Sequence, residues 1–112
     1  MLIYIIGKIT GNQEYREQFA RAEEALRAMY ACDIINPAKR GDMSQADYAR
    51  LSYNAVCKAD AVACLWTASE SFGATMERLI ALDAGKLMMN ITPDYKIMEV
   101  DKLVKELKDA KD

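Results

Sequence analysis

Glu77 stands four residues after Gly73 and six after Ser71, in the stretch Ser71-Phe72-Gly73-Ala74-Thr75-Met76-Glu77. On a helix, positions four apart lie on one face, so a carboxylate is expected one turn beyond the gap that glycine leaves. The first turn of a helix offers unbonded N–H groups and a partial positive charge, which suit an anion. Gly73, followed by the small Ala74, lets a ligand approach the backbone closely. The combination describes a phosphate cradle with a reactive carboxylate beside it. Each residue also has an ordinary explanation: Ser69 or Ser71 can serve as a plain helix cap, and an acid near a helix N-terminus is favoured without any ligand.

Other chemistry-bearing residues cluster at the ends of apolar runs. Tyr4 interrupts the aliphatic run Leu2–Ile6, and a buried phenol needs a hydrogen-bond partner, either in the core or at the edge of a pocket. Gly7, Lys8 and Ile9 follow in a loop where a cation suits a phosphate or carboxylate, although a solvated loop lysine fits equally. Trp66 closes the run Asp60–Trp66, placed either to stack on a base or simply to pack.

The totals narrow the field. The chain has 112 residues, 52% of them apolar, enough for one small core. The net charge of −2 gives no basic face for a nucleic-acid polymer, and no apolar run reaches a membrane span. "MLIYIIGK" lacks the features of a signal peptide, so a cytoplasmic chain is expected. The absence of histidine excludes His-based metal sites, Ser-His-Asp triads and Cys-His pairs; no metal or cofactor is expected. The three cysteines are expected to be reduced and mostly buried, and the methionines, Met29, Met76, Met88, Met89 and Met98 among them, to fill core.

These residues need a scaffold. Short apolar runs at Leu2–Ile6, "CDIINP", Asp60–Trp66 and "KLMMNI" read as strands. Between them lie a helix over "QEYREQFARAEEALRAMY" capped by Asn12, a second over Gln45–Lys58 capped by Ser44 with Asp47, and a third over Phe72–Ala84 ended by Gly85. Glu17–Arg21 and Glu23–Arg27 are spaced for ion pairs. A single domain with a final amphipathic helix at about 98–110 completes the chain. The alternation predicts an α/β, three-layer flavodoxin/Rossmann-like fold with a four- to five-stranded parallel sheet and helices on both faces. Ligands bind such sheets at the carboxyl ends of the strands, where strand order reverses. The segments to watch are "GKITG", "NPAKRG" and "TASESFGA".

Four segments in order, "YIIGKITG", "INPA", "ADAV" and "SFGATME", resemble the nucleoside 2-deoxyribosyltransferase superfamily over roughly residues 2–91. The likeness extends to its short, often phage-encoded members and to its deoxynucleoside 5′-monophosphate N-glycosidases. The resemblance implies that Glu77 attacks the anomeric carbon of a deoxyribose, that Tyr4 orients sugar and carboxylate, and that Ser71 and Gly73 hold a 5′-phosphate. It implies a small nucleoside or nucleotide as partner and a homodimer or larger assembly, for which the apolar face of the second helix (Ala46, Ala49, Tyr53, Val56 or Cys57) is a candidate. Two positions depart from the family. Ser52 stands where it usually has an Asp that orients substrate and handles the leaving base, and Lys8 where it often has Ser or Pro. Lys8 can strengthen phosphate binding or pair with Glu77 and quench it. Beside the enzyme reading stands a second: a nucleotide-binding or sensing module without turnover.

Overall fold

The structure, a computed structural model, describes residues 1–99. β1 (Leu2–Ile6) leads through a loop to α1 (Tyr15–Met29), then β2 (Asp33–Ile35), α2 (Gln45–Lys58), β3 (Ala61–Leu65), α3 (Phe72–Asp83), β4 (Leu87–Ile91) and β5 (Ile97–Glu99). Short 3-10 turns follow β2 (Pro37–Lys39) and β3 (Trp66–Glu70). The sheet order is β2-β1-β3-β4-β5. β2, β1, β3 and β4 run parallel, and β5 returns antiparallel to β4. The α/β architecture read from the sequence is therefore present, with an antiparallel edge strand in place of an all-parallel sheet.

Strand alternation divides the core in two. Tyr4, Ile6, Val62 and Cys64 face α2 and α3, meeting Ala55, Val56, Ala74 and Ala81. Ile3, Ile5, Ala61, Ala63 and Leu65 face α1, meeting Phe19, Ala22 and Leu26. With helices on both faces, β1 and β3 lose polar alternation, as buried parallel strands do. Asp60 ties the two central strands at their start by accepting the Leu2 N–H at 2.8 Å.

Some local expectations shift. α1 begins at Tyr15 with Glu14 at the cap position. Asn12 instead closes the preceding turn, its side-chain oxygen accepting the Glu14 N–H at 3.2 Å. Met98 and Glu99, expected to open the final helix, lie in β5, because Ile97–Glu99 completes a hairpin with Met89–Ile91. The rest of that helix, from residue 100, lies outside the described residues. Met88 and Met89 fill core, whereas Met29, Met76 and Met98 are exposed. Of the cysteines, all free, Cys64 is buried, Cys32 half-buried and Cys57 exposed. The ion pairs Glu17–Arg21 (3.0 Å) and Glu23–Arg27 (3.1 Å) form as spaced. No helix among the described residues is long and apolar enough to cross a membrane.

Candidate active site

The strand order reverses between β1 and β3, and the crevice over the carboxyl ends of such strands is where open α/β sheets generally receive ligands. Thr67 bridges it, its Oγ1 accepting the Lys8 N–H at 3.1 Å. α3 starts beside this crevice. Ser71 caps the helix: its Oγ accepts the Ala74 N–H at 3.3 Å. The N–H groups of Phe72 and Gly73, in the same first turn, have no intrahelical acceptor. A methyl group at Gly73 would meet nothing nearer than Ser71 Oγ at 4.0 Å, and its φ is not positive. The fold itself therefore places no demand for glycine there.

One turn on, Glu77 is 9% exposed, and its Oε2 is buried without a hydrogen-bond partner. Loss of water pushes its carboxyl up to about 7, against the opposing influence of the Tyr4 hydroxyl and the Arg40 charge. A carboxylate placed this way is costly to the fold and poised to change protonation near neutrality.

Tyr4 enters from β1 and is fully buried. Its Oη lies 3.4 Å from Ser52 Oγ. Burial and then the neighbouring Glu77 push its phenol well above the usual range. Ser52 is itself buried on α2 and accepts Arg40 Nη1 at 2.9 Å. The Arg40 guanidinium lies 5.8 Å from the Tyr4 ring centroid and 4.9 Å from that of Tyr48. Tyr48, half-buried on α2, has its phenol raised by burial first and by Glu77 second. Four elements thus converge: β1 supplies Tyr4, the loop after β2 supplies Arg40, α2 supplies Tyr48 and Ser52, and α3 supplies Glu77.

The structure brings together Tyr4, Ser52 and Glu77 at this centre, with Ser71, Gly73 and Ala74 a turn away. Other expected residues sit differently. Gly7 turns its missing side chain toward α1, where a Cβ would fall 2.8 Å from Leu65 Cδ1 and 2.9 Å from Phe19 Cζ, so tight packing alone requires glycine. Ile9 packs into the α1-side cluster. Trp66 does so too, edge-on to Tyr95 at 5.5 Å, on the opposite face of the sheet from Tyr4. Lys8 is engaged through its backbone, with its carbonyl accepting Asn12 Nδ2 at 2.9 Å. Among the described residues no ion pair joins Lys8 to Glu77.

Arg40 and Tyr48 were not singled out by sequence reasoning. The available signal was position: "NPAKRG" follows β2, at the carboxyl edge of the sheet. A structured anchor fixes this loop. Asn36 caps its 3-10 turn by accepting the Ala38 N–H at 3.0 Å, and Glu23 of α1 holds Asn36 Nδ2 at 3.1 Å and Lys39 Nζ at 3.2 Å. Partial burial works against the Glu23 charge, but these donors and Arg27 outweigh it and lower its carboxyl.

The fold and site together define a small α/β domain with a buried acid at its strand-order reversal. The chain belongs to the family described as a domain of unknown function, DUF4406, whose model matches residues 1–91. No curated protein matches its sequence. Among solved structures, a 2-deoxyribosyltransferase from Leishmania mexicana is similar at a TM-score of 0.64 and 16% identity, over 81% of this chain and 63% of that one. A CMP N-glycosidase from Clostridium botulinum is similar at 0.57 and 17% identity, over 82% of this chain and 69% of that one. This chain therefore spans less than two thirds of the Leishmania protein, and at these identities the likeness is one of fold.

Proposed function

We propose that this protein cleaves the N-glycosidic bond of a 2′-deoxyribonucleoside or its 5′-monophosphate, with Glu77 as nucleophile. The observation that carries this reading is the buried Glu77 carboxylate, with one oxygen unpartnered, one turn from a helix N-terminus that needs no glycine of its own. The activities named for the two structural neighbours, glycosyl transfer and N-glycoside cleavage, support it.

In the proposed reaction a Glu77 oxygen bonds to C1′ as the C1′–N bond breaks, and the electron pair leaves on the base. The transition state is oxocarbenium-like, and the nearby anion stabilises it. The resulting glycosyl ester is then opened by water, which places OH on C1′ and a proton on the base, or by a second base. Tyr4 orients the carboxylate, while the α3 N-terminus with Ser71 and Gly73 takes the 5′-phosphate. The exposed apolar side chains Phe72, Met76 and Leu79 on α3, beside Ala46, Ala49, Tyr53 and Cys57 on α2, support assembly as a homodimer or larger; Val56 turns inward instead.

The test is chromatographic detection of free base from a panel of deoxynucleosides, their 5′-monophosphates and CMP. Base release supports the enzyme reading. Nucleotide binding by calorimetry with no product after long incubation would support the module without turnover, and would mean that serine cannot replace the family's acid at position 52. A sharper expectation concerns Gly73→Ala. It should leave the protein as stable or more so, by up to about 1 kcal/mol. It should also raise KM for monophosphates roughly tenfold, by displacing the phosphate about a methyl's width, while leaving nucleosides little affected. Equal KM changes for both substrate types would remove the phosphate from this helix end.

A further inference from the structure

A cation, Arg40, reaches toward the Glu77 carboxyl through two hydroxyls. Two contacts form a line toward it: Arg40 Nη1 to Ser52 Oγ at 2.9 Å, and Ser52 Oγ to Tyr4 Oη at 3.4 Å; beyond them, Tyr4 and Glu77 are close enough to shift each other's ionisation. Arginine can only donate, so Ser52 must accept from it. Hydroxyl protons rotate freely, and one arrangement suits every member: the single Ser52 proton turns to the Tyr4 oxygen, and the Tyr4 proton turns to the Glu77 carboxylate. An aspartate at position 52 would end this line, because an ionised carboxylate has no proton to pass on.

We propose that Arg40 is the positioning residue of this site, acting through Ser52 and Tyr4 so that the phenol donates to Glu77 and holds it as the carboxylate. Arg40 is suited to the task. Among the described residues no acid pairs with it, so its charge is not neutralised locally. The rings of Tyr4 and Tyr48 lie beside its guanidinium, and the Glu23 network anchors its loop. Serine at position 52 is then a working part of the site and not a lost acid. The other ionisable groups facing Glu77 are Tyr48 from α2 and Cys64 from β3, with Arg78 on α3 beside Cys64. Burial pushes the Cys64 thiol up to about 12, and both it and Tyr48 stay neutral near pH 7, so neither replaces Arg40.

The role assigned to Arg40 rests on Glu77 as nucleophile, but its test does not need a substrate. The Glu77 carboxyl can be followed by carbon NMR on glutamate-labelled protein, with Glu77→Gln to assign the signal. Arg40→Gln should move the titration midpoint up by about one pH unit, a tenfold change in the charged fraction below it. Arg40→Lys should recover part of that shift. Ser52→Ala, which keeps the Arg40 charge and removes the hydroxyl, should also move it upward. Thermal melts identify any variant that fails to fold, and the conservative Arg40→Lys and Ser52→Thr then stand in, the latter expected to keep the wild-type midpoint. Unchanged midpoints in both Arg40→Gln and Ser52→Ala would overturn the proposal. So would a shift in Arg40→Gln alone, since that would leave only the field of the charge and no line of hydrogen bonds. A shifted midpoint in a protein that releases no base would instead leave the relay standing and overturn the proposed reaction.

Discussion

Glu77→Gln is expected to lower base release by roughly 10^6-fold, the scale seen when a nucleophile is removed from an otherwise intact site. Glutamine keeps the shape of the side chain and its place on α3. Its carbonyl remains a hydrogen-bond acceptor beside Tyr4, so substrate binding should persist with KM little changed. What it lacks is an oxygen able to bond C1′ or to stabilise the cation that develops there. Steady-state kinetics on the best substrate of the panel, beside a thermal melt, measure this. A variant with more than a tenth of wild-type kcat would show that Glu77 is not the nucleophile.

The same substitution should have the opposite effect on the fold. Burial pushes the Glu77 carboxyl from 4.5 up to about 7 in the native protein. A value raised on folding means that the neutral form is the one the fold favours. Its contribution is complete below about pH 4.5, declines as pH rises, and is lost through about pH 7. At pH 8 the wild type therefore bears the cost of a buried charge, on the order of 3 kcal/mol, which glutamine avoids. Urea unfolding at pH 5 and pH 8 should show Glu77→Gln gaining stability relative to wild type as pH rises, with the two converging in acid. A constant difference across that range would place the carboxylate in contact with water. The two effects are linked: the burial that costs stability also removes water from the proposed nucleophile, the trade expected of a functional site.

Much of the fold was legible in the sequence. α2 was bounded at Gln45 and Lys58 and α3 began at Phe72, because Ser44 and Ser71 cap them and helix caps are written locally. The central strands were legible because β1 and β3, covered on both faces, are apolar throughout. β5 was not. Ile97–Glu99 is three residues long, and the amphipathic pattern that follows it overran its boundary. The direction of that strand depends on a hairpin turn, with Tyr95 at a φ of 61°, which a tyrosine does not advertise.

Within the site, Tyr4 stood out as a phenol among aliphatics and Glu77 as an acid one turn after Gly73, whereas Ser52 stood out only through the family resemblance, at a position expected to be acidic. Trp66 was expected over the pocket from its place at the end of β3. The chain turns there into a 3-10 segment, and the ring goes to the α1 side. Arg40 could not be told from Lys39 or any other loop cation, since nothing local says which one turns inward. That distinction comes from Tyr4, Tyr48 and Ser52, which lie far away in sequence and meet it only in the folded sheet.

The central claim is that Glu77 forms a bond to the sugar, and the most direct measurement is of that bond. A 2′-fluoro deoxynucleoside analogue slows opening of a glycosyl ester by destabilising the cation. After incubation with one, acid-quenched protein can be digested and its peptides weighed. The account predicts a mass increase equal to the fluorinated glycosyl group on the peptide containing Glu77, absent from Glu77→Gln. Base release without any adduct on that peptide, or an adduct on another residue, would contradict it.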